Sequence, residues 1–219
     1  HDARHHHARH DRQIGPAAPG SLVYLSLDPA LGGMNAILAA EFTPTSLNIL
    51  DLQVDHNLAQ TEQILNLVRG MATRYHPSVV VVEKNSFQLG LTNDFRFSRM
   101  GSELGFTLRP HLTGAEKHDP IQGVAAMPGS FNAGQIRIPY ADEHARTRMQ
   151  PLLIQLESWR PNVPTRLIKQ DAVMALWFAW KHWRAWQETL RIESPHRQRR
   201  PSWLTSFKAP ALTGRPNYC

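Results

Sequence analysis

Residues 79–85 read Val79-Val80-Val81-Val82-Glu83-Lys84-Asn85. Four consecutive β-branched residues without polar alternation describe a strand covered on both faces, the central strand of an α/β sheet. That run ends directly on an acid. Upstream, Ile64, Leu65, Leu67, Val68 and Met71 fall at helical spacing within 58–75, and His76-Pro77 closes the helix. Further upstream, Leu22–Leu27 is a second apolar run, stopped by Asp28-Pro29, and Asn35–Phe42 and Leu47–Val54 follow across short turns at Gly32-Gly33 and Thr43-Pro44-Thr45. Three strands joined this closely predict an antiparallel meander. Downstream, the pattern predicts a helix over 89–103, a short strand over 106–110, a mixed segment over 117–134, a short strand over 135–139, and helices over 142–158 and 170–188. The order predicts an α/β fold with a mixed sheet flanked by helices, not a strictly alternating doubly wound one.

The chain has 219 residues, 42% of them apolar, enough for one core. Its single cysteine, Cys219, excludes a disulfide framework or a cysteine zinc knuckle and fits a reducing compartment. No apolar run approaches the roughly 18–20 residues of a membrane span, and no basic-then-apolar signal pattern opens the chain. The first residue is His1, not Met, which points to a fragment of a longer protein. The formal charge is +6, and residues 181–219 carry eight Lys/Arg against two acids. A neutral body with a basic arm is the charge pattern of a partner for nucleic acid or an acidic surface. Five of the 12 histidines fall within residues 1–10. The expected organisation is a disordered His-rich leader over 1–20, one domain over 21–190 and a basic tail over 191–219.

Asp28 and Glu83 each follow an apolar strand directly, at the carboxyl ends where α/β sheets keep their sites. If the two strands are parallel neighbours, the carboxylates converge, and a hard divalent cation relieves their repulsion. All-oxygen ligation favours Mg²⁺ or Mn²⁺ over zinc. Asp171 opens an apolar helix in Lys169-Gln-Asp-Ala-Val-Met-Ala-Leu176; taken alone it is a favourable charge at a helix N-terminus. Asn85 is either a donor that orients Glu83 or a turn residue. His111 and His118 read as ordinary surface residues. Trp177, Trp180, Trp183 and Trp186 recur every third residue, so at about 100° per residue their rings spiral across half the helix, some facing the core and some not.

Four segments in order carry a family resemblance: the strand ending Asp28-Pro29-Ala30 with Gly32-Gly33, the valine strand with Glu83-Lys84-Asn85, Phe131-Asn-Ala-Gly134-Gln-Ile-Arg-Ile-Pro139, and Asp171-Ala-Val-Met-Ala-Leu176. Over about 21–185 the chain resembles the C-terminal nuclease domain of the tailed-bacteriophage terminase large subunit, within the ribonuclease H-like superfamily. The resemblance implies a ribonuclease H-like sheet and a DNA endonuclease using two Mg²⁺ or Mn²⁺ ions roughly 3.5–4 Å apart. Carried over by position, Asp28 bridges both ions while Glu83 and Asp171 hold one each. Lys117 contacts the scissile phosphate, and Lys169 and Arg137 contact the DNA backbone. Asn35 and Gln170 stand where relatives often have further acids, and Pro120 where a second base is frequent. By the resemblance, the first two departures imply weaker occupancy of one metal site or a dependence on Mn²⁺ or bound DNA to complete it, and the third a weaker phosphate grip. The implied partners are double-stranded DNA, the terminase ATPase domain, the small terminase subunit and the portal protein, in the host cytoplasm, with no membrane. No Gly-x-x-x-x-Gly-Lys-Ser/Thr loop occurs, so the ATPase half is absent from this chain. The alternatives are a Holliday-junction resolvase or transposase-like nuclease of the same fold, and a non-catalytic module that binds DNA or a portal.

Overall fold

The computed structural model describes residues 9–10, 12–30, 33–56, 58, 60–83, 91, 93–160, 163 and 169–198. Strands β1 (Leu22–Asp28), β2 (Met34–Phe42) and β3 (Leu47–His56) form the antiparallel meander, with Asp28 opposite Ala36 and Met34 opposite His56. Helix α1 (Thr61–Tyr75) leads to β4 (Val79–Glu83), which lies parallel to β1 in the register Tyr24 to Val79 through Leu27 to Val82. Helix α2 (Phe95–Leu104) then delivers β5 (Thr107–His111), parallel to β4. Two short 3₁₀ turns, Ala115–His118 and Val124–Ala126, precede α3 (Met127–Asn132). Next come β6 (Ile136–Pro139), parallel to β3, then α4 (Glu143–Ser158) and α5 (Asp171–Gln198). The sheet order is β6-β3-β2-β1-β4-β5, and the two residues Arg9–His10 extend its β6 edge.

Side-chain alternation sorts the sheet into two cores. Val23, Leu25, Leu27, Val80 and Val82 pack against α1 and α2, whereas Tyr24, Val79 and Val81 pack against the layer of α3, α4 and α5. The four valines are all buried because both faces are covered. Helix α1 buries Ile64, Leu65, Val68, Met71, Ala72 and Tyr75 as one stripe and ends at His76, which takes a left-handed φ of 47° so that its N–H reaches the Ala72 carbonyl at 2.9 Å.

Three expected boundaries change. The leader over 1–20 is in part built into the fold. Buried Glu41 collects the Arg12 guanidinium at 2.9 Å, the Ser21 hydroxyl at 2.7 Å, the Ala18 N–H at 3.1 Å and the Asn48 amide at 2.8 Å. A buried carboxylate needs such donors, and residues 12–21 supply three of them. Residues 1–8 lie outside the described residues. Within the helix expected over 89–103, residue 91 is helical and α2 begins at Phe95, where the Asp94 carboxylate caps the Arg96 N–H at 2.8 Å; residues 84–90 and 92 lie outside the described residues. The boundary at 190 falls within α5, which continues to Gln198, so the basic tail starts as helix; residues 199–219 lie outside the described residues.

Candidate active site

Asp28 and Glu83 are the last residues of β1 and β4, one step beyond the Leu27 to Val82 pair. They share the parity of Tyr24, Ser26, Val79 and Val81, so both leave the sheet on the face covered by α5. Helix α5 is pinned to that face by the Ser26 hydroxyl, which donates to the Ala175 carbonyl at 2.7 Å. One turn earlier stands Asp171. Asp28 feels both other acids: burial, then the Glu83 charge, then the Asp171 charge push its carboxyl well above the usual range. A side-chain hydrogen bond with Glu83 adds to the rise. Burial likewise raises Asp171, against the opposing pull of its own N–H, Lys169, the Gln170 N–H and His56 at the end of β3.

Lys117 is the cation facing Asp28. Its turn is held from several sides. The Asp119 carboxylate accepts the Ile121 and Gln122 N–H groups at 2.7 and 2.9 Å, and the Gln122 carbonyl accepts the Trp177 indole N–H at 2.9 Å. Glu116 pairs with Lys181 at 2.6 Å. Gly123 lies so close beneath that a Cβ would stand 2.5 Å from the carbonyl oxygens of both Lys117 and Asp119.

Among the described residues, no three His, Cys, Asp or Glu side chains close into a metal-ligand cage. The donor set nevertheless suits a hard divalent cation: the Glu83 and Asp171 charges add to burial in raising Asp28, burial raises Asp171, and among the described residues Lys117 offsets the Asp28 charge. Oxygen-only ligands of this kind select Mg²⁺ or Mn²⁺.

No family model and no curated protein sequence matches the chain. Solved structures do. The human cytomegalovirus terminase nuclease domain, soaked with manganese, superposes with a TM-score of 0.53 at 18% identity, covering 73% of this chain and 80% of that one. The large terminase nuclease of thermophilic phage G20c with bound zinc gives 0.52 at 15% identity over 76% and 84%, and its cobalt-bound form 0.51 at 16% over the same shares. The fold is ribonuclease H-like.

Within this ribonuclease H-like sheet the other expected site residues separate. Lys169 is exposed and acts on the Asp171 charge. Asn35 is fully buried and committed to the turn after Asp28: its Oδ1 accepts the Ala30 N–H at 2.9 Å and its amide donates to the Ala30 carbonyl at 2.8 Å. It shares the parity of Ile37, on the α1 face, and so points away from the acids. Arg137 is opposite Asn48, itself opposite Glu41, whereas Asp28 is opposite Ala36. Five residues of strand, roughly 17 Å, therefore separate Arg137 from the acid end, and its guanidinium donates to the Gly134 carbonyl at 3.3 Å. Asn85 lies outside the described residues.

His111 is not the surface residue expected. It is the strand partner of Glu83, its side chain is 10% exposed, and it packs against the rings of Trp177, Phe178 and His182. Its Nε2 is 3.5 Å from Glu116 without forming a hydrogen bond, and burial lowers its pKa. Sequence reading also passed over Gln155, buried between α4 and the start of α5.

Proposed function

We propose that the chain is a divalent-metal-dependent DNA endonuclease that cuts concatemeric double-stranded DNA during viral genome packaging. The observation that carries the reading is that Asp28 and Glu83 end two neighbouring parallel strands and that the Glu83 and Asp171 charges, with burial, raise the Asp28 carboxyl. Likeness in fold to two terminase nucleases supports the packaging role over other uses of the same sheet. On this reading the partners are double-stranded DNA and, through the packaging machine, the terminase ATPase domain, small subunit and portal. Among the described residues no helix is long and apolar enough to cross a membrane, which suits action in the host cytoplasm.

Asp28, Glu83 and Asp171 would together hold the cations. Two Mg²⁺ or Mn²⁺ ions, when bound, supply the charge neutralisation and water activation that in-line phosphodiester hydrolysis needs. Without a cation, burial and the Glu83 and Asp171 charges make the Asp28 carboxyl hold its proton more tightly than an ordinary carboxyl does. Lys117, whose charge acts on Asp28, would meet a bound phosphate, and its braced turn fixes that position in advance.

The test is nicking of supercoiled plasmid by the purified chain with Mn²⁺, Mg²⁺ or EDTA, beside Asp28→Asn, Glu83→Gln and Asp171→Asn. Metal-dependent cutting that falls at least about 100-fold in each variant is expected. A chain that binds DNA and never cuts with either metal overturns the enzyme in favour of a DNA-binding module.

A further inference from the structure

Helix α5 must start in one place for Asp171 to face Asp28; its first turn carries the Met174 N–H on the Gln170 carbonyl at 2.8 Å, and the Asp171 carboxylate takes its own and the Gln170 N–H. The first N–H groups of any α-helix lack intrahelical partners. In α5 two of them are taken by a side chain from another helix. The Gln155 Oε1, on α4, accepts the Ala172 N–H at 2.8 Å and the Val173 N–H at 3.3 Å. The same side chain is 4% exposed, and its amide is directed at the Met34 sulfur at 3.4 Å. Met34 opens β2 beside Asn35, which holds the turn after Asp28. Gln155 thus touches the supports of two of the three acids.

The chemistry of that position is specific. An aspartate in the first turn is itself a ready acceptor for free amides just downstream. If Ala172 and Val173 were unpartnered, the Asp171 carboxylate, which already takes its own and the Gln170 N–H, would be drawn further over the helix N-terminus and away from Asp28. A neutral amide occupies them without adding a fourth negative charge beside Asp28.

We propose that Gln155 is a positioning residue for the metal centre: by occupying the first amides of α5 it holds the Asp171 carboxylate toward Asp28. This rests on the metal-dependent reading above. Gln155→Leu leaves the helix its cap, now from Asp171, so folding is retained while the acid is withdrawn.

The experiment is Mn²⁺ titration of the full chain, without DNA, followed by electron paramagnetic resonance, with thermal unfolding in EDTA alongside. Gln155→Leu is expected to weaken Mn²⁺ binding about tenfold with little change in Tm, and Gln155→Glu, which keeps both acceptor contacts, to bind at least as tightly as wild type. In an Asp171→Asn background, Gln155→Leu should have no further effect. If Gln155→Leu does not fold, Gln155→Asn, one methylene too short to reach both amides, is read in its place. Wild-type Mn²⁺ affinity in Gln155→Leu, or a loss that persists in the Asp171→Asn background, overturns the proposal alone. A wild-type chain that binds no Mn²⁺ overturns the metal reading and this proposal with it.

Discussion

Glu41 illustrates what a single residue contributes here. Burial alone would raise its pKa, but hydrogen bonds from Ser21, Arg12, Asn48 and the Ala18 N–H outweigh it and bring the carboxyl down to about 2. A depressed carboxylate adds stability that is full above its unfolded pKa of about 4.3 and is lost as pH falls toward 2. Glu41→Gln should therefore lower Tm at pH 7 and make the acid limb of unfolding shallower between about pH 4.5 and 2, measured by circular dichroism. Gly123 is a second single-residue requirement. Gly123→Ala places a methyl 2.5 Å from two carbonyl oxygens and must displace the Lys117 turn; DNA affinity in EDTA should fall as in Lys117→Ala, by about threefold to tenfold in filter binding at low salt. Asp28 and Glu83 were legible from sequence because each terminates an apolar strand. Glu41 and Gln155 were not, because their partners lie 29 and 17 residues away in the chain and leave no local pattern.

At the scale of elements, short apolar runs between turn residues announced every strand of the six-stranded sheet, and the all-valine run announced its centre. The segment between β5 and β6 was opaque, since its two 3₁₀ turns and six-residue helix have no hydrophobic period to read. Helix α5 was half legible. The −60° step between its tryptophans does spread them, yet the helix is wrapped on several sides, so Trp177, Trp180 and Trp183 are all buried while Trp186 is half-buried. Each buried indole N–H donates to a different element: Trp177 to the Gln122 carbonyl at 2.9 Å, Trp180 to the Ser130 hydroxyl at 3.0 Å and Trp183 to the Thr43 carbonyl at 2.9 Å. Trp180→Phe keeps most of the packing and removes one donor, so it should cost about 1–2 kcal/mol and lower Tm by several degrees. Trp183→Ala opens a cavity and should cost about 3–5 kcal/mol.

For the whole molecule, the sheet separates two cores that meet around its β3 edge through Asp51. Fully buried, Asp51 accepts the Tyr75 hydroxyl of α1 at 2.9 Å and the Arg148 guanidinium of α4 at 3.1 Å, fastening one layer to the other. The acid end works against this stability. Because the folded Asp28 carboxyl holds its proton more tightly than the unfolded one, the metal-free fold loses stability as pH rises from about 4 through that raised value. Asp28→Asn should thus raise Tm at pH 8 in EDTA by a few degrees, whereas Mn²⁺ should raise the Tm of wild type and not of the variant, read by differential scanning fluorimetry. The tryptophans of α5 also make the molecule its own optical instrument. Their three indole anchors sample the Lys117 turn, α3 and the β2–β3 turn separately. Replacing the other five of the chain's six tryptophans with phenylalanine, one anchor kept at a time, would leave single emitters whose wavelength shifts time the local opening of each region, and the emitter at Trp177, edge-on to His111 beside Glu83, would register events at the acids themselves.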